Sequence, residues 1–301
     1  MSTKVNRRFG LGMLPFLILL ATLCANNRNT PAGDHGQLTA EEVLTKHLMS
    51  IGTPENLAAA KTRLVAGSVL FTLRSPGSGQ NSGLSILYSE RNKSVIAMSF
   101  QNADYPAEKF GYDGDKLVVS FLHPGVRSTL GDFIFQRAGI YRDGLFGGVL
   151  STAWPLLNFN GSKVKLEYGG LKKVDGRDAH VLRYVPKTGS DLKVNLFFDA
   201  ETFQHVRTEY KQVVAAQMSS TAGGVDSSKE RERDLHYDLE EQFSDFRVEG
   251  KLMLPHTYQI KLKLDRRQGA TYLAEWKMAF NKFSFNQPLE PKWFDINAAA
   301  N

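Results

Sequence analysis

The sequence predicts an α+β fold, in which a strongly curved antiparallel sheet of about ten strands forms an unclosed barrel with helices packed in its concave side. Residues 175–211 give the clearest indication, because apolar and polar side chains alternate in three consecutive runs separated by turn residues. The same alternation recurs at hairpin-length spacing in residues 63–121 and 164–285, and an apolar segment of helical character, residues 129–159, lies between them. This even spacing favours one curved sheet over two separate domains.

The N-terminal region has the features of an export signal. Two adjacent arginines precede an uncharged apolar run over residues 11–23, which is shorter than the stretch of about 20 helical residues that crosses a bilayer. We therefore expect residues 1–25 to be a signal peptide, residues 26–37 a flexible tether, and residues 38–301 a single domain. The mature protein is then exported to the periplasm or cell envelope.

Cys24 is the only cysteine, so an intrachain disulfide is excluded. Its place at the end of the apolar run allows two interpretations. In one, the cysteine is lipidated and anchors the protein to a membrane of the envelope. In the other, cleavage after Ala25 removes it with the signal, and Leu23 favours this second interpretation because lipoprotein signals have a small residue directly before the cysteine.

The charge balance argues against nucleic acid as a partner. Lysine and arginine number 37, and three of them lie in the signal, which leaves 34 against 31 acidic residues. Nucleic-acid binding requires a dense basic stripe, and this chain has none.

Each regular element follows from its local pattern. Thr39 can cap a first helix with Glu42 as its capping-box partner, Gly52 ends that helix, and Pro54 begins a short second helix that runs to residue 60. Alternating runs predict strands at 63–74, 84–89, 94–100, 109–112 and 116–121, with a turn at 76–83. After the apolar segment they predict strands at 164–168, in the three runs of 175–211, and at 243–248, 252–264 and 272–285, with a polar loop at 215–233.

The apolar segment 129–159 is the candidate binding element. It holds more bulky apolar side chains than a surface connection should carry, and glycines interrupt it repeatedly. These side chains either fill the concave side as ordinary core, or they line or cover a cavity for an apolar ligand, with residues 149–159 as the lid. The candidates are Phe133, Phe135, Phe146, Leu150, Trp154, Leu157 and Phe159.

No catalytic or metal-binding signature occurs in the sequence. Neither His-Glu-x-x-His nor Gly-x-Ser-x-Gly is present, and no two of the seven histidines have the spacing of a helical metal pair. Asp191, Asp199 and Glu201 fall in turns, where carboxylates bond the backbone. One set of side chains shares a strand face and could offer metal ligands, although a solvated strand has the same pattern; it consists of Asp234, His236, Asp238 and Glu240. We predict no enzyme activity, no cofactor and no metal site, with a hydrolase or metal enzyme built on that set as the minor alternative.

Several segments together resemble the bacterial outer-membrane lipoprotein carrier (LolA/LolB-like) superfamily. The resemblance covers most of residues 38–285 and is one of pattern rather than of an invariant motif. It implies an unclosed β-barrel whose helices cap an apolar cavity that shields acyl chains from water. The segments that carry it are the turn at 111–114, the strand and turn residues 174–182 and 196–202, and the strand-turn-strand at 246–256.

Taken together, these features predict a monomeric, non-catalytic envelope protein that binds an acyl chain, lipid or lipoprotein in an apolar cavity, for transport or sorting. The alternative is a structural or protein-interaction module of the same fold with a filled core. The extra length, the loop at 215–233 and Cys24 distinguish the chain from dedicated lipoprotein carriers.

Overall fold

Twelve antiparallel strands form one continuous sheet in the computed structural model of the protein. The structure describes residues 38–161, 165–185, 191–214, 235–265 and 271–296. The predicted signal peptide, the tether, Cys24 and the polar loop at 215–233 lie outside the described residues. In chain order the strands are β1 Thr62–Ser75, β2 Gly79–Glu90, β3 Lys93–Phe100, β4 Ala107–Tyr112, β5 Leu117–Val119, β6 Lys165–Val174, β7 Arg177–Val185, β8 Lys193–Asp199, β9 His205–Val214, β10 Leu235–Glu249, β11 Leu252–Asp265 and β12 Tyr272–Phe285.

The sheet consists of two meanders joined at one seam. Its order is β5-β4-β3-β2-β1-β12-β11-β10-β9-β8-β7-β6. Strands that follow each other in the chain pair with each other, except β5 and β6, and the seam is the pairing of β1 with β12. Strands β5 and β6 are the two edges and do not pair with each other. The predicted α+β class with an unclosed antiparallel sheet is confirmed, with twelve strands where the sequence indicated about ten.

The first hairpin is longer than the sequence predicted. Strand β2 begins at Gly79, within the expected turn at 76–83, and Gly79 pairs with Leu73 while Asn81 pairs with Phe71. The expectation followed apolar alternation, but the hydrogen bonds of an antiparallel ladder join backbone groups and do not require apolar side chains. Polar and glycine residues therefore extend the strand past the apolar run.

The α-helices of the described residues and two of the 3-10 helices lie along one face of the sheet, which we call the inner face. They are α1 Ala40–Ile51, α2 Pro54–Ala59, α3 Thr129–Gln136 and α4 Ala138–Arg142, with short 3-10 helices at Gly148–Leu150 and Pro155–Gly161. The predicted capping box of Thr39 and Glu42 is present, and Gly52 is the C-cap of α1. Among the described residues, no helix combines the length and apolarity needed to cross a bilayer.

A single large core fills the space between the inner face and these helices. Val43, Leu44 and Ile51 of α1 belong to it, together with alternate side chains of the central strands such as Ile260 and Met278. The two residues from the strands have no measurable exposure. The helical segment between β5 and β6 contributes the remaining inner layer.

Gly67 lies at the seam between β1 and β12, where the pairing register shifts between Ala66 and Gly67. A Cβ atom at Gly67 would lie 1.9 Å from the carbonyl oxygen of Ala279. The two backbones thus approach more closely than any side chain permits, and only glycine fits there.

We expect Gly67→Ala to lower the free energy of unfolding by about 1–3 kcal/mol, because the new methyl group meets backbone that cannot move aside cheaply. Gly79→Ala is the matched control, because a Cβ atom there would meet nothing within 4 Å. That control should be neutral or slightly stabilising. Urea unfolding of both variants measures the difference, and an equal effect at the two positions would contradict the close approach at the seam.

Candidate functional site

The segment between β5 and β6 covers the inner face with most of the predicted candidate side chains. Phe133, Phe146, Leu150 and Trp154 are buried in the core, and Leu157 and Phe159 pack against it half-buried. Phe135 differs, because its side chain is 46% exposed and the guanidinium carbon of Arg127 lies 3.8 Å from its ring centre. Six of the seven candidates therefore lie together in the interior, and the helical phase of α3 directs the seventh outward.

Phe146 contacts aromatic side chains from three parts of the structure. Its ring centre lies 5.6 Å from that of Phe110, 5.9 Å from that of Tyr141, and 6.5 Å from those of Tyr210 and Tyr258. Strands from both meanders thus meet the inserted segment at this ring.

Glu241 is a buried carboxylate that attaches the middle of the segment to the sheet. Its Oε1 accepts hydrogen bonds from the Gly147 amide at 2.7 Å and the Tyr258 hydroxyl at 2.6 Å, and its Oε2 accepts one from the Tyr210 hydroxyl at 2.6 Å. Burial raises the pKa of Glu241 to about 7, against the lowering effect of these three donors. The interior of the protein therefore holds a titratable group with a pKa close to neutral pH.

Glu108 attaches the start of the same segment in a similar way. The Ser128 hydroxyl donates to its Oε1, and Ser128 Oγ accepts the Gly131 amide at 2.7 Å as the N-cap of α3. The Tyr105 hydroxyl donates to Oε2 at 2.9 Å and accepts from Trp276 Nε1 at 2.8 Å. Burial raises the pKa of Glu108 to about 7.

Arg63 is a buried cation that bonds the segment from β1. Its Nη1 donates to the carbonyl oxygen of Val149, and its Nε has no hydrogen-bond partner among the described residues. Burial lowers its pKa to about 10, and the side chain makes no ion pair within the described part of the chain. A buried charge without a counter-charge is costly, so an anionic group beside Arg63 would be strongly favoured.

Two histidines and a tryptophan form a buried cluster where α1 and the segment meet the sheet. The ring centres of Trp154 and His205 are 4.9 Å apart, and His47 lies 5.1 Å from Trp154. His47 Nδ1 donates to the Phe203 carbonyl oxygen at 2.7 Å, so its Nε2 is an acceptor. Burial lowers the pKa of His47 to about 4 and that of His205 well below its usual value.

Three polar atoms of this cluster have no partner among the described residues: His47 Nε2, Trp154 Nε1 and His205 Nδ1. Leaving each such atom unpaired costs about 1–3 kcal/mol. The cluster therefore has free donor and acceptor capacity next to the predicted lid.

The carboxylates that the sequence singled out serve other purposes. Asp199 Oδ1 accepts the backbone amides of Glu201 and Thr202 at 3.1 and 2.9 Å, as predicted for a turn residue. Glu240 faces Arg207 at 3.5 Å, and Asp234 lies outside the described residues. In the part of the chain that the structure describes, no group of three or more metal-ligating side chains is close enough to hold an ion.

Sequence reasoning missed Glu241 and Glu108, and in the first case a signal was available. Glu241 stands between Leu239 and Phe243 on the apolar parity of β10, where a charged residue breaks the alternation. His236, Asp238 and Glu240, which the sequence offers as metal ligands, lie on the opposite face of the same strand.

We expect the stability contributed by Glu241 to fall as pH rises. Its pKa is about 7 in the folded protein and about 4.5 when unfolded, so the folded state binds the proton more tightly. The stability that this proton contributes is complete below pH 4.5 and is lost as pH rises through 7. Glu241→Gln removes this titration. The unfolding free energy of the wild type minus that of Glu241→Gln should fall by roughly 3 kcal/mol from pH 4.5 to pH 8.

Urea unfolding of both proteins at the two pH values measures this change. His47 acts in the opposite direction, because its depressed pKa makes stability decline as pH falls from 6.5 towards 4. Since His47 is present in both proteins, its contribution cancels in the comparison. A difference that is the same at both pH values would contradict the near-neutral pKa of Glu241.

Comparisons with known proteins find similarity of structure alone. No protein-family model matches the chain, and no curated protein matches it. A LolA superfamily protein from Nitrosomonas europaea is 16% identical with a TM-score of 0.46, over 85% of this chain and 97% of that one. A putative outer membrane lipoprotein-sorting protein domain from Vibrio parahaemolyticus is 11% identical with a TM-score of 0.42, over 84% and 95%. A DUF1329 family protein from Desulfovibrio piger is 10% identical with a TM-score of 0.39, over 84% and 96%.

The chain is thus similar in fold to solved structures of the superfamily that its sequence resembles.

Proposed function

We propose that the protein is a non-catalytic protein of the periplasm or cell envelope that binds an acyl chain, lipid or lipoprotein at the inner face of its sheet, for transport or sorting. One observation carries this proposal. The inner face of an unclosed sheet is apolar across both meanders, and two short stretches of chain, residues 38–60 and 128–161, cover it. An acyl chain can replace such a cover without breaking any strand pairing.

The segment 128–161 is suited to act as that replaceable cover. Buried polar contacts attach it to the sheet at Ser128, Tyr141, Gly147, Val149 and Thr152. The side chains of Leu150 and Trp154 make apolar contacts, and an acyl chain can substitute for these without loss of hydrogen bonds. Residues 149–159, with Leu150, Trp154, Leu157 and Phe159, form the lid in this proposal.

Burial of an acyl chain supplies enough free energy for this role without any catalytic group. Each buried methylene contributes about 0.8 kcal/mol, so ten methylenes contribute about 8 kcal/mol, which corresponds to a dissociation constant of about 1 μM. Opening the lid subtracts from this value, and longer or multiple chains add to it.

Arg63 favours a ligand that carries an anionic group. Its buried, unpaired charge lies beside Val149 at the start of the proposed lid. A ligand with an anionic group near its acyl chain would neutralise that charge. The unpaired atoms of His47 and Trp154 offer further hydrogen bonds to a polar head group.

Lipid extraction tests the proposal. We expect protein purified from its native envelope to carry lipid that mass spectrometry identifies, and Arg63→Lys to retain it because the charge is kept. Arg63→Met removes the charge at similar length and should reduce bound anionic lipid about tenfold. Thermal unfolding of both variants verifies that they are folded.

A wild-type protein without bound lipid, in its native envelope, would overturn the proposed function. If Arg63→Met and Arg63→Lys carry equal amounts of bound lipid, Arg63 is not part of the binding site, and the rest of the inner face is still the proposed binding surface.

A protein-interaction module with a filled core is the second candidate. The complete burial of Leu150, Trp154 and Leu156 favours it. An exposed apolar patch lies near the start of α3, where Phe121 and Phe135 are 51% and 46% exposed on either side of Arg127. Such a patch is typical of a surface that binds another protein. The same extraction separates the candidates, because this one predicts no bound lipid.

A further inference from the structure

A groove of about 1030 Å³ lies on the outer face of β1 to β4, on the opposite side of the sheet from the core. Leu84, Ile86 and Ala97 form its floor. Their strand neighbours Leu87 and Ile96 belong to the inner core, and side chains alternate between the faces of a sheet, so the floor residues point outward. These apolar residues form a contiguous floor at outward positions, and Leu84 is 69% exposed.

The C-terminal part of the described chain forms one wall of this groove. A 3-10 helix at Pro291–Phe294 crosses the outer face, and Phe294 is 2% exposed. Its ring centre lies 5.5 Å from that of Tyr88, and the Lys93 amine lies 5.5 Å from the same ring centre. The Tyr88 hydroxyl donates to the Trp293 carbonyl oxygen. The wall is therefore fixed by a buried anchor, and the groove is a formed feature of the fold.

The charges at the groove are predominantly positive. Lys109, Lys282 and Lys292 line it, and the acidic residue among the lining side chains is Asp295, which has a partner of its own. Lys292 pairs with Glu290 at 2.8 Å, whereas Lys109 and Lys282 make no ion pair with any residue that the structure describes. Lys109 on β4 and Lys282 on β12 are separated by three strands, so they lie at opposite ends of the floor. An apolar floor with an unpaired cation at its end complements a ligand that has an apolar chain and one anionic end.

We propose that this outer groove binds a long-chain fatty acid, with the chain on Leu84, Ile86 and Ala97 and the carboxylate at Lys282. The volume is at the upper end of the range usual for small-molecule sites, which are apolar with a few polar groups that set orientation. The site lies outside the inner face and does not depend on its function.

The tryptophans allow a direct test. The chain has three, of which Trp154 and Trp276 are fully buried in the inner core and Trp293 is 38% exposed in the groove wall. Bromine quenches indole fluorescence only at short range. Titration with a brominated palmitate should quench Trp293 saturably, and Trp293→Phe should abolish that component while the two inner tryptophans still report on the inner face.

Matched variants identify the site. Lys282→Glu should weaken the quenching titration about tenfold, whereas Lys277→Glu, at an exposed lysine on the same strand but outside the groove, should not. Leu84→Ser should weaken it about tenfold, because an apolar contact is lost. Val248→Ser is its control, since Val248 is 66% exposed and does not line the groove.

Three results would overturn the proposal. The first is quenching confined to Trp154 and Trp276, which would place palmitate at the inner face alone and leave the proposed function intact. The second is quenching of Trp293 that is weakened equally in the groove variants and in their controls. The third is absence of palmitate binding together with a concentration-dependent dimer that Leu84→Ser dissociates, which would make a second copy of the chain the occupant.

Discussion

The open edge of the sheet is the constraint on which the rest of the structure depends. The sheet has an apolar inner face, and because strands β5 and β6 do not pair, the sheet is not closed around it. Exposed apolar area costs about 25 cal/mol per Å², and the chain covers that face with α1, α2 and the segment between the two edges. The segment must cross from one edge to the other, and this path brings Phe146, Leu150 and Trp154 into the centre of the interior.

The polar contacts of this cover have a different character from its apolar contacts. Glu108 and Glu241 hold it through hydrogen bonds from a serine and a backbone amide, and Arg63 holds it through a backbone carbonyl. Each of these groups carries the cost of a buried charge or a shifted pKa. An apolar core of the same shape would avoid that cost. The two glutamates, whose pKa values are raised to about 7, make the attachment of this cover sensitive to pH near neutrality.

The sequence predicted the elements whose signals are local. The capping box of Thr39 and Glu42, the turn at Asp199 and the alternating strands each depend on residues a few positions apart. Features that depend on pairing distant segments were not predictable in this way. The seam between β1 and β12 joins residues roughly two hundred positions apart. The role of Glu241 appears only when Gly147 and two tyrosines from neighbouring strands meet it. The sequence places Phe135 in the interior because composition does not give the phase of a short helix. The outer groove depends on Phe294, which packs across a strand face whose sequence pattern predicts exposure to solvent.

The proposed function requires the cover formed by residues 128–161 to open while the sheet stays folded. Native-state hydrogen exchange measures this most directly, because it reports the free energy at which each amide opens. The Gly147 amide, bonded to Glu241, is the most informative probe in the segment, and amides of β11 and β12 report global unfolding. We expect the amides of Gly147 and its neighbours to exchange through an opening of clearly lower free energy than those of the central strands. Exchange of the segment only at the free energy of global unfolding would contradict it.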